Sequence, residues 1–457
     1  MGKKVKNYTI VLLFILLYLV YSKAADITQE IQKYIDNKDY HKAIEILESK
    51  KSSLGLDYYC TMAIIYANLN KDYVPILKNA KEIFVSNVKQ ENQKNKNFSK
   101  ILYTFGYIEY YIKQSIYNSE IYFKEAIRYD ENNVKAIVAI AQVYYDKNET
   151  EKSEQMLDKA FDILKQNKQL TPEFLKIYSQ VLIENKRYTK IINILKPYID
   201  KYSIVKLFYA KALTFVDENI EANRIIVDFL RQNSDNLEAY YILGLTYKGS
   251  KAKINEGIDL IENLNPEKND RYYLKLAQFY EGLGDVEMAI NYYDKVLSMN
   301  KTNEKYYVLA ITYAIDTGFT SRAINWAWEY YNMNPQNFYS NLFLAMCYEY
   351  QKQFEYSKKY YYQAIEIDPS RYEPYVRLAW IVLEQEADFN LSAEILLKGY
   401  NNVKDSYYKN RFKKALKDLV ELEEEFKRRY KQKTNQEISK PIRPDLKEKI
   451  MNIIREN

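Results

Sequence analysis

Small and apolar residues along this chain fall into short helical stripes that come in pairs. Between residues 338 and 371, Asn341, Leu344, Ala345 and Tyr348 stand at i, i+3, i+4 and i+7, and Ser357, Tyr361 and Ala364 continue one face of a second segment before Pro369. That spacing predicts two α-helices joined by a tight turn and stopped by the proline. Ala345, Ser357 and Ala364 are small enough to let two helix backbones approach, and Tyr348 and Tyr361 fill the space beside them.

The pattern repeats in steps of 34 residues. One step on, Tyr375, Leu378, Ala379 and Val382 keep the register, with the second helix displaced so that Ser392 or Ala393 is the small residue and Leu396 or Leu397 the large one. One step back, Ala323 and Pro335 keep the period, while Tyr306, Leu309, Ala310 and Tyr313 read as slipped by one. Two steps back come Tyr273, Leu276, Ala277, Tyr280, a Gly284-Asp285 turn, Ala289 and Tyr293. Further copies are headed by Tyr240, Tyr209 and Ile137, and weaker ones by Phe105, Tyr59 and Tyr34. In the unit over 171–202, Pro197 predicts that the second helix ends or kinks near Lys196.

The anchor unit resembles a tetratricopeptide repeat, a 34-residue helix–turn–helix with W-x2-L-G-x2-Y, A-x3-F and proline landmarks, with Asn341 at the tryptophan place. The resemblance implies an all-α fold, a right-handed α-solenoid of about ten helical hairpins with a C-terminal capping helix. On this reading residues 26–88 hold N-terminal hairpins and 100–403 the main array. The stretch over 89–99, rich in Lys, Asn and Gln and without an apolar face, reads as a polar loop. Phe412, Leu419 and Phe426 recur every seven residues in a long capping helix over 404–430, and residues 431–457 form a polar tail ending in a short amphipathic segment around Leu446, Ile450, Ile453 and Ile454.

Composition narrows the class. With only 10 Gly and 9 Pro in 457 residues there is little room for hairpin turns or long loops, which favours helices throughout. Residues 1–24 read as a signal peptide: Lys3, Lys4 and Lys6, an apolar run from Ile10 to Val20, then Ser22-Lys23-Ala24. The alternative is a retained membrane anchor over residues 8–21. The formal net charge of +6 includes four lysines of this segment, so the remainder carries +2 and gives no reason to expect nucleic acid. Cys60 and Cys347 lie in distant units and read as two solitary buried thiols. The 49 tyrosines read as compositional drift at aromatic positions.

Candidate chemistry is sparse. His41 is the single histidine, so no zinc site or Cys/His nucleophile has partners, and no phosphate loop, HExxH or GxSxG occurs. Acidic residues fall on polar faces and in turns and read as solvated. No catalytic residue, metal or cofactor is expected.

The family resemblance instead implies a concave groove lined by the first helices. Its positions here include Tyr339, Leu342, Met346 and Glu349, then Trp380, then Tyr307, then Leu274, Gln278 and Glu281, then Tyr241 and Lys248. The peptide-groove candidates are Tyr241, Lys248, Tyr307, Tyr339, Met346 and Trp380. The Lys and Asn carboxylate clamp known in the family is missing, since Leu342, Met346, Leu274 and Gln278 stand at its places. An apolar, aromatic groove with acidic edges suits an amphipathic or aromatic-bearing segment of a protein partner. The implied function is a non-enzymatic, exported scaffold for protein–protein interaction in the bacterial cell envelope, free in the periplasm or tethered there; the alternatives are a membrane-anchored assembly factor and a helical-repeat RNA binder. Pro335, Pro369 and the export signal weigh against RNA.

Overall fold

A computed structural model describes residues 25–113, 115–250, 253–403, 406–434 and 440–455. The expected targeting segment, residues 1–24, lies outside the described residues. Those described hold 25 α-helices and no strand, in two compact units divided between Glu218 and Asn219.

The N-terminal unit begins with α1 (Ala25–Asp36), α2 (Tyr40–Ser49), α3 (Lys51–Leu54), α4 (Leu56–Asn68), α5 (Val74–Lys81) and α6 (Glu91–Tyr107). It continues with α7 (Ile116–Tyr129), α8 (Val134–Asp146), α9 (Thr150–Gln166), α10 (Pro172–Glu184), α11 (Tyr188–Leu195) and α12 (Val205–Thr214). The C-terminal unit carries α13 (Asn219–Gln232), α14 (Leu237–Tyr247), α15 (Ile254–Leu264), α16 (Asp270–Leu283), α17 (Val286–Met299) and α18 (Glu304–Asp316). Then come α19 (Thr320–Met333), α20 (Phe338–Tyr350), α21 (Phe354–Ile367), α22 (Glu373–Glu386), α23 (Phe389–Asn402), α24 (Ser406–Thr434) and α25 (Pro444–Arg455). In the array from α16 to α23, each first helix packs on its own second helix, and each second helix on the next first helix.

Short polar residues start the helices. The side chains of Asn236, Asn269, Asn303 and Asn337 accept backbone N–H groups in the first turns of α14, α16, α18 and α20, so the cap itself recurs with the repeat. The turn into each second helix uses one left-handed residue: Gly284, Gly318 and Lys352 have φ of 78°, 82° and 59°. At the crossings, Ala289, Ala323 and Ala364 are fully buried. Where the small residue is serine, its hydroxyl donates to a carbonyl of the facing helix, Ser357 to Ala345 and Ser392 to Ala379, both at 2.9 Å.

The residue heading the packing stripe has a second task. Asn341 donates to the Pro335 carbonyl at 2.8 Å, Tyr375 to that of Pro369 at 3.2 Å, and Tyr240 to that of Ser234 at 2.7 Å. Each reaches back six residues to hold the link between hairpins, which is how Asn341 serves at the tryptophan place. Between α14 and α16 the backbones themselves touch. A Cβ on Gly244 would lie 2.0 Å from the Phe279 carbonyl oxygen, and one on Gly282 2.0 Å from that of Tyr241.

Two features differ from the sequence expectation. Residues 91–107 form α6, where the polar composition of 89–99 reads as a loop. Polar side chains anchor this helix: Asn97 donates to the Phe84 carbonyl at 2.7 Å, Ser99 to that of Ala126 at 2.6 Å, and Lys100 pairs with Asp57 at 2.5 Å. In α18 the buried stripe is Tyr307, Ala310, Ile311 and Ala314, in strict 34-residue register, and Leu309 is exposed. The amphipathic end of the tail is helical and docked: α25 lies on α23 and α24 and buries Leu446 and Ile450. Pro197 acts as its position implies, with α11 ending at Leu195 and a 3₁₀ turn over Lys196–Tyr198.

Candidate functional site

The candidate surface is the face of α14, α16, α18, α20 and α22 beside the packing stripe. Tyr339 and Trp380 keep 36% and 38% of their surface exposed, a large fraction for aromatic side chains. Tyr339 is oriented by its neighbours, with Phe338 and Phe343 at ring-centroid distances of 5.3 and 6.2 Å and the Arg371 guanidinium 5.8 Å away. Met346, seven residues on and therefore on the same side of α20, is half-buried, as is Tyr241 on α14; Lys248, capping that helix, is exposed.

Tyr307 does not belong to this surface. It is 1% exposed, stacks on Tyr330 at 5.5 Å and donates to Glu329 at 3.4 Å. The cause is register. Tyr307 is the counterpart of Asn341, and Tyr330 stands where the anchor repeat has Ala364, so two large rings occupy space otherwise shared by a small residue and an amide. The positions that α18 contributes beside the stripe are Lys305, Val308 and Thr312. Strict counting from Asn341, taken over the better local match at Tyr306, finds them. The Thr312 hydroxyl is enclosed and makes no hydrogen bond. Leu342 and Leu274 are buried as well, so the i+3 position packs between helices.

The acidic edges are held from below. Glu349 accepts from Tyr361 and takes Arg377 on both carboxylate oxygens at 3.0 Å. Glu281 accepts from Tyr293 and, at 2.8 Å, from Gln278. Burial, with the adjoining Glu349 and Glu281 carboxylates, pushes the Tyr361 and Tyr293 phenols well above their ordinary range. Glu304 accepts from Tyr330 at 3.2 Å. These carboxylates fix helix pairs together, leaving the aromatic and apolar side chains as the available part of the face.

Nor are all acids solvated. Glu109, Glu154 and Glu423 are buried, each with a lysine partner: Lys113 at 2.9 Å, Lys190 at 2.8 Å, and Lys427 and Lys447 at 3.0 and 3.1 Å. His41 is exposed, and Cys60 and Cys347 are buried free thiols. Among the described residues no cluster of three or more His, Cys, Asp or Glu could hold a metal ion. No helix among them is long and apolar enough to cross a membrane.

An all-α array of hairpins with small residues at its crossings and capped first helices defines a helical-repeat scaffold for protein–protein interaction. Residues 270–303 and 339–371 match the tetratricopeptide repeat family. The chain carries tetratricopeptide repeats in its C-terminal unit. The repeat between the two matches is the one in which Tyr330 stands where the anchor repeat has Ala364.

No curated protein matches the chain. Among solved structures, the C-terminal part of a TPR repeat-containing protein from Cytophaga hutchinsonii is 16% identical, over 54% of this chain and 93% of that one, with a TM-score of 0.35. YrrB, described as a TPR protein with an unusual peptide-binding site, is 19% identical over 44% and 97%, with a TM-score of 0.24. MamA from Desulfovibrio magneticus RS-1 is 15% identical over 47% and 93%, with a TM-score of 0.27. Similarity at this level transfers neither partner nor activity.

Proposed function

We propose that this chain is an exported scaffold of the cell envelope that binds a peptide or helical segment of a partner protein on the first-helix face of its C-terminal unit. The observation that supports it is the exposure of Tyr339 and Trp380 beside a packing stripe that is itself fully buried. Aromatic side chains commonly dominate interface energies, and truncating one at a hot spot costs about 2 kcal/mol or more.

The test uses the full-length chain and a peptide selected on it from a random display library. Trp380→Ala combined with Tyr339→Ala weakens capture of that peptide more than about tenfold, since roughly 1.4 kcal/mol is one decade. Folding, followed by circular dichroism, is retained. Tyr361→Ala is the control, because its ring is fully buried and its loss acts through stability. Unchanged affinity in the folded double variant refutes the assignment of this face. Export is tested separately by sequencing the N-terminus of the protein from its host: a start at Ala25, or within a few residues of it, supports cleavage. A chain beginning at Met1 or Gly2 in the membrane fraction supports the anchored alternative.

A further inference from the structure

The end of the C-terminal unit holds a second, separately built site. Residues 440–455 lie across α23 and α24, and their contacts are those of a ligand in a receptor. Backbone groups of the segment are read individually: Phe389 N–H donates to the Lys440 carbonyl at 3.1 Å, Ile442 N–H to the Glu423 carboxylate at 2.7 Å, and Arg443 N–H to the Asn390 side chain at 3.2 Å. Three of its cations meet carboxylates on the seat. Lys440 pairs with Asp388 at 3.0 Å, Arg443 with Glu394 at 3.3 Å, and Lys447 with Glu423 at 3.1 Å and also with Glu424. Between them Ile442, Leu446 and Ile450 are buried against the core of the unit.

Glu423 is the discriminating residue. Its side chain is 0% exposed, and two of its partners, the Ile442 N–H and the Lys447 ammonium, come from the docked segment. A buried carboxylate stripped of such partners is costly, so the seat favours a segment offering both a backbone donor and a cation at that spacing. Pro441 and Pro444 flank Ile442 and keep the lead-in extended, so its N–H is presented outside any helical turn. The seat is acidic and the segment basic, with a short apolar stripe along one side. A capping helix held only by apolar packing needs none of this matching.

We propose that α23 and α24 form a docking site for a basic, proline-led amphipathic helix, and that residues 440–455 are its ligand in cis. A partner protein carrying the same pattern of a buried isoleucine between prolines, then a leucine, a lysine and an isoleucine at helical spacing, binds by displacing the tail. The site is independent of the first-helix face.

The experiment uses the whole chain with a protease recognition sequence placed between Thr434 and Lys440. After cutting, nicked and uncut protein are incubated with a labelled synthetic peptide of residues 440–455 and passed over a sizing column. The expected result is that label travels with the nicked protein and replaces its own tail. The uncut protein, whose tethered tail competes at high effective concentration, takes up at least roughly tenfold less. Peptides carrying Lys447→Glu or Ile450→Ala, which leave the protein itself unaltered, bind the nicked chain at least about tenfold more weakly. Loss of helical signal on cutting overturns the proposal, because the tail is then part of the folded core. Equal uptake by uncut protein, or no loss of binding with the variant peptides, overturns it too. So does a nicked chain that takes up no peptide.

Discussion

Replacing Gly244 with alanine tests the close approach of the α14 and α16 backbones. The added Cβ would meet the Phe279 carbonyl oxygen at 2.0 Å, the Gly282 Cα at 2.9 Å and the Leu283 nitrogen at 2.9 Å. All three are backbone atoms, so no side-chain rotation relieves the overlap. A carbon normally sits about 3.3 Å or more from a carbonyl oxygen, so α14 and α16 must part by roughly 1.3 Å. Overpacking typically costs about 1–3 kcal/mol, and the upper end applies where two helices must move as bodies. Against this, alanine recovers about 1 kcal/mol of helix propensity. The net loss of about 2 kcal/mol lowers the thermal midpoint by roughly 4–8 °C in a unit of this size. Calorimetry of the full chain reads it as a downward shift of the transition that contains residues 219–457. Gly282→Ala, facing the Tyr241 carbonyl at the same distance, has a similar effect. The double variant costs less than the sum, since one separation accommodates both methyl groups. An unchanged or raised midpoint for Gly244→Ala refutes the close approach.

Three further outcomes follow from single features. Lys352→Gly raises the midpoint by roughly 2–4 °C, because a β-carbon at φ 59° is unfavourable by about 1 kcal/mol and Gly284 and Gly318 already fill the corresponding turns; a lowered midpoint counts against it. The buried phenols make stability fall at high pH. Tyr361 and Tyr293 are raised well above 10.0 and burial pushes Tyr307 up to about 12, so their contribution is complete below pH 10 and is lost as pH rises through the folded values. Phenolate absorbance of these residues should therefore appear together with loss of helical signal, and ionisation of Tyr361 with helices intact, followed in single-tyrosine replacements, would contradict this. Burial pushes the Cys60 and Cys347 thiols up to about 11 and about 12, so both should resist alkylation at neutral pH until the chain unfolds, as measured by mass spectrometry.

What was legible in the sequence was whatever repeats. The stripes headed by Tyr240, Asn341 and Tyr375, the buried alanines at the crossings and the stop at Pro197 all rest on local spacing, and a 34-residue phase multiplies weak local signals into a strong one. Tyr307 shows the limit. Its neighbours Tyr306, Leu309 and Ala310 imitate the stripe one residue early, and this local match hides the register that strict 34-residue counting from Asn341 keeps. Helix α6 was hidden for another reason: Asn97, Ser99 and Lys100 anchor it through bonds to distant carbonyls and Asp57, which leave no apolar period to count. Glu423 sits in a run of three glutamates that reads as a solvated face, and its burial depends on a segment that approaches from beyond Thr434. Of the groove candidates, the exposure of Tyr339 and Trp380 follows from their offset to the stripe, whereas Leu342, at an equally plausible offset, is covered by the adjoining helix.

The links between hairpins also determine how the C-terminal unit responds to tension. Where Tyr240, Asn341 and Tyr375 reach back to the carbonyls of Ser234, Pro335 and Pro369, each joint carries an extra tie of about 1 kcal/mol across six residues. At the head of α18 the corresponding hydroxyl, that of Tyr307, is turned to Glu329 instead. Pulled from its ends, the array is expected to yield at a joint without such a tie, as ahead of α18, before the tied joints ahead of α20 and α22, so that α20–α23 come away as one stiff block.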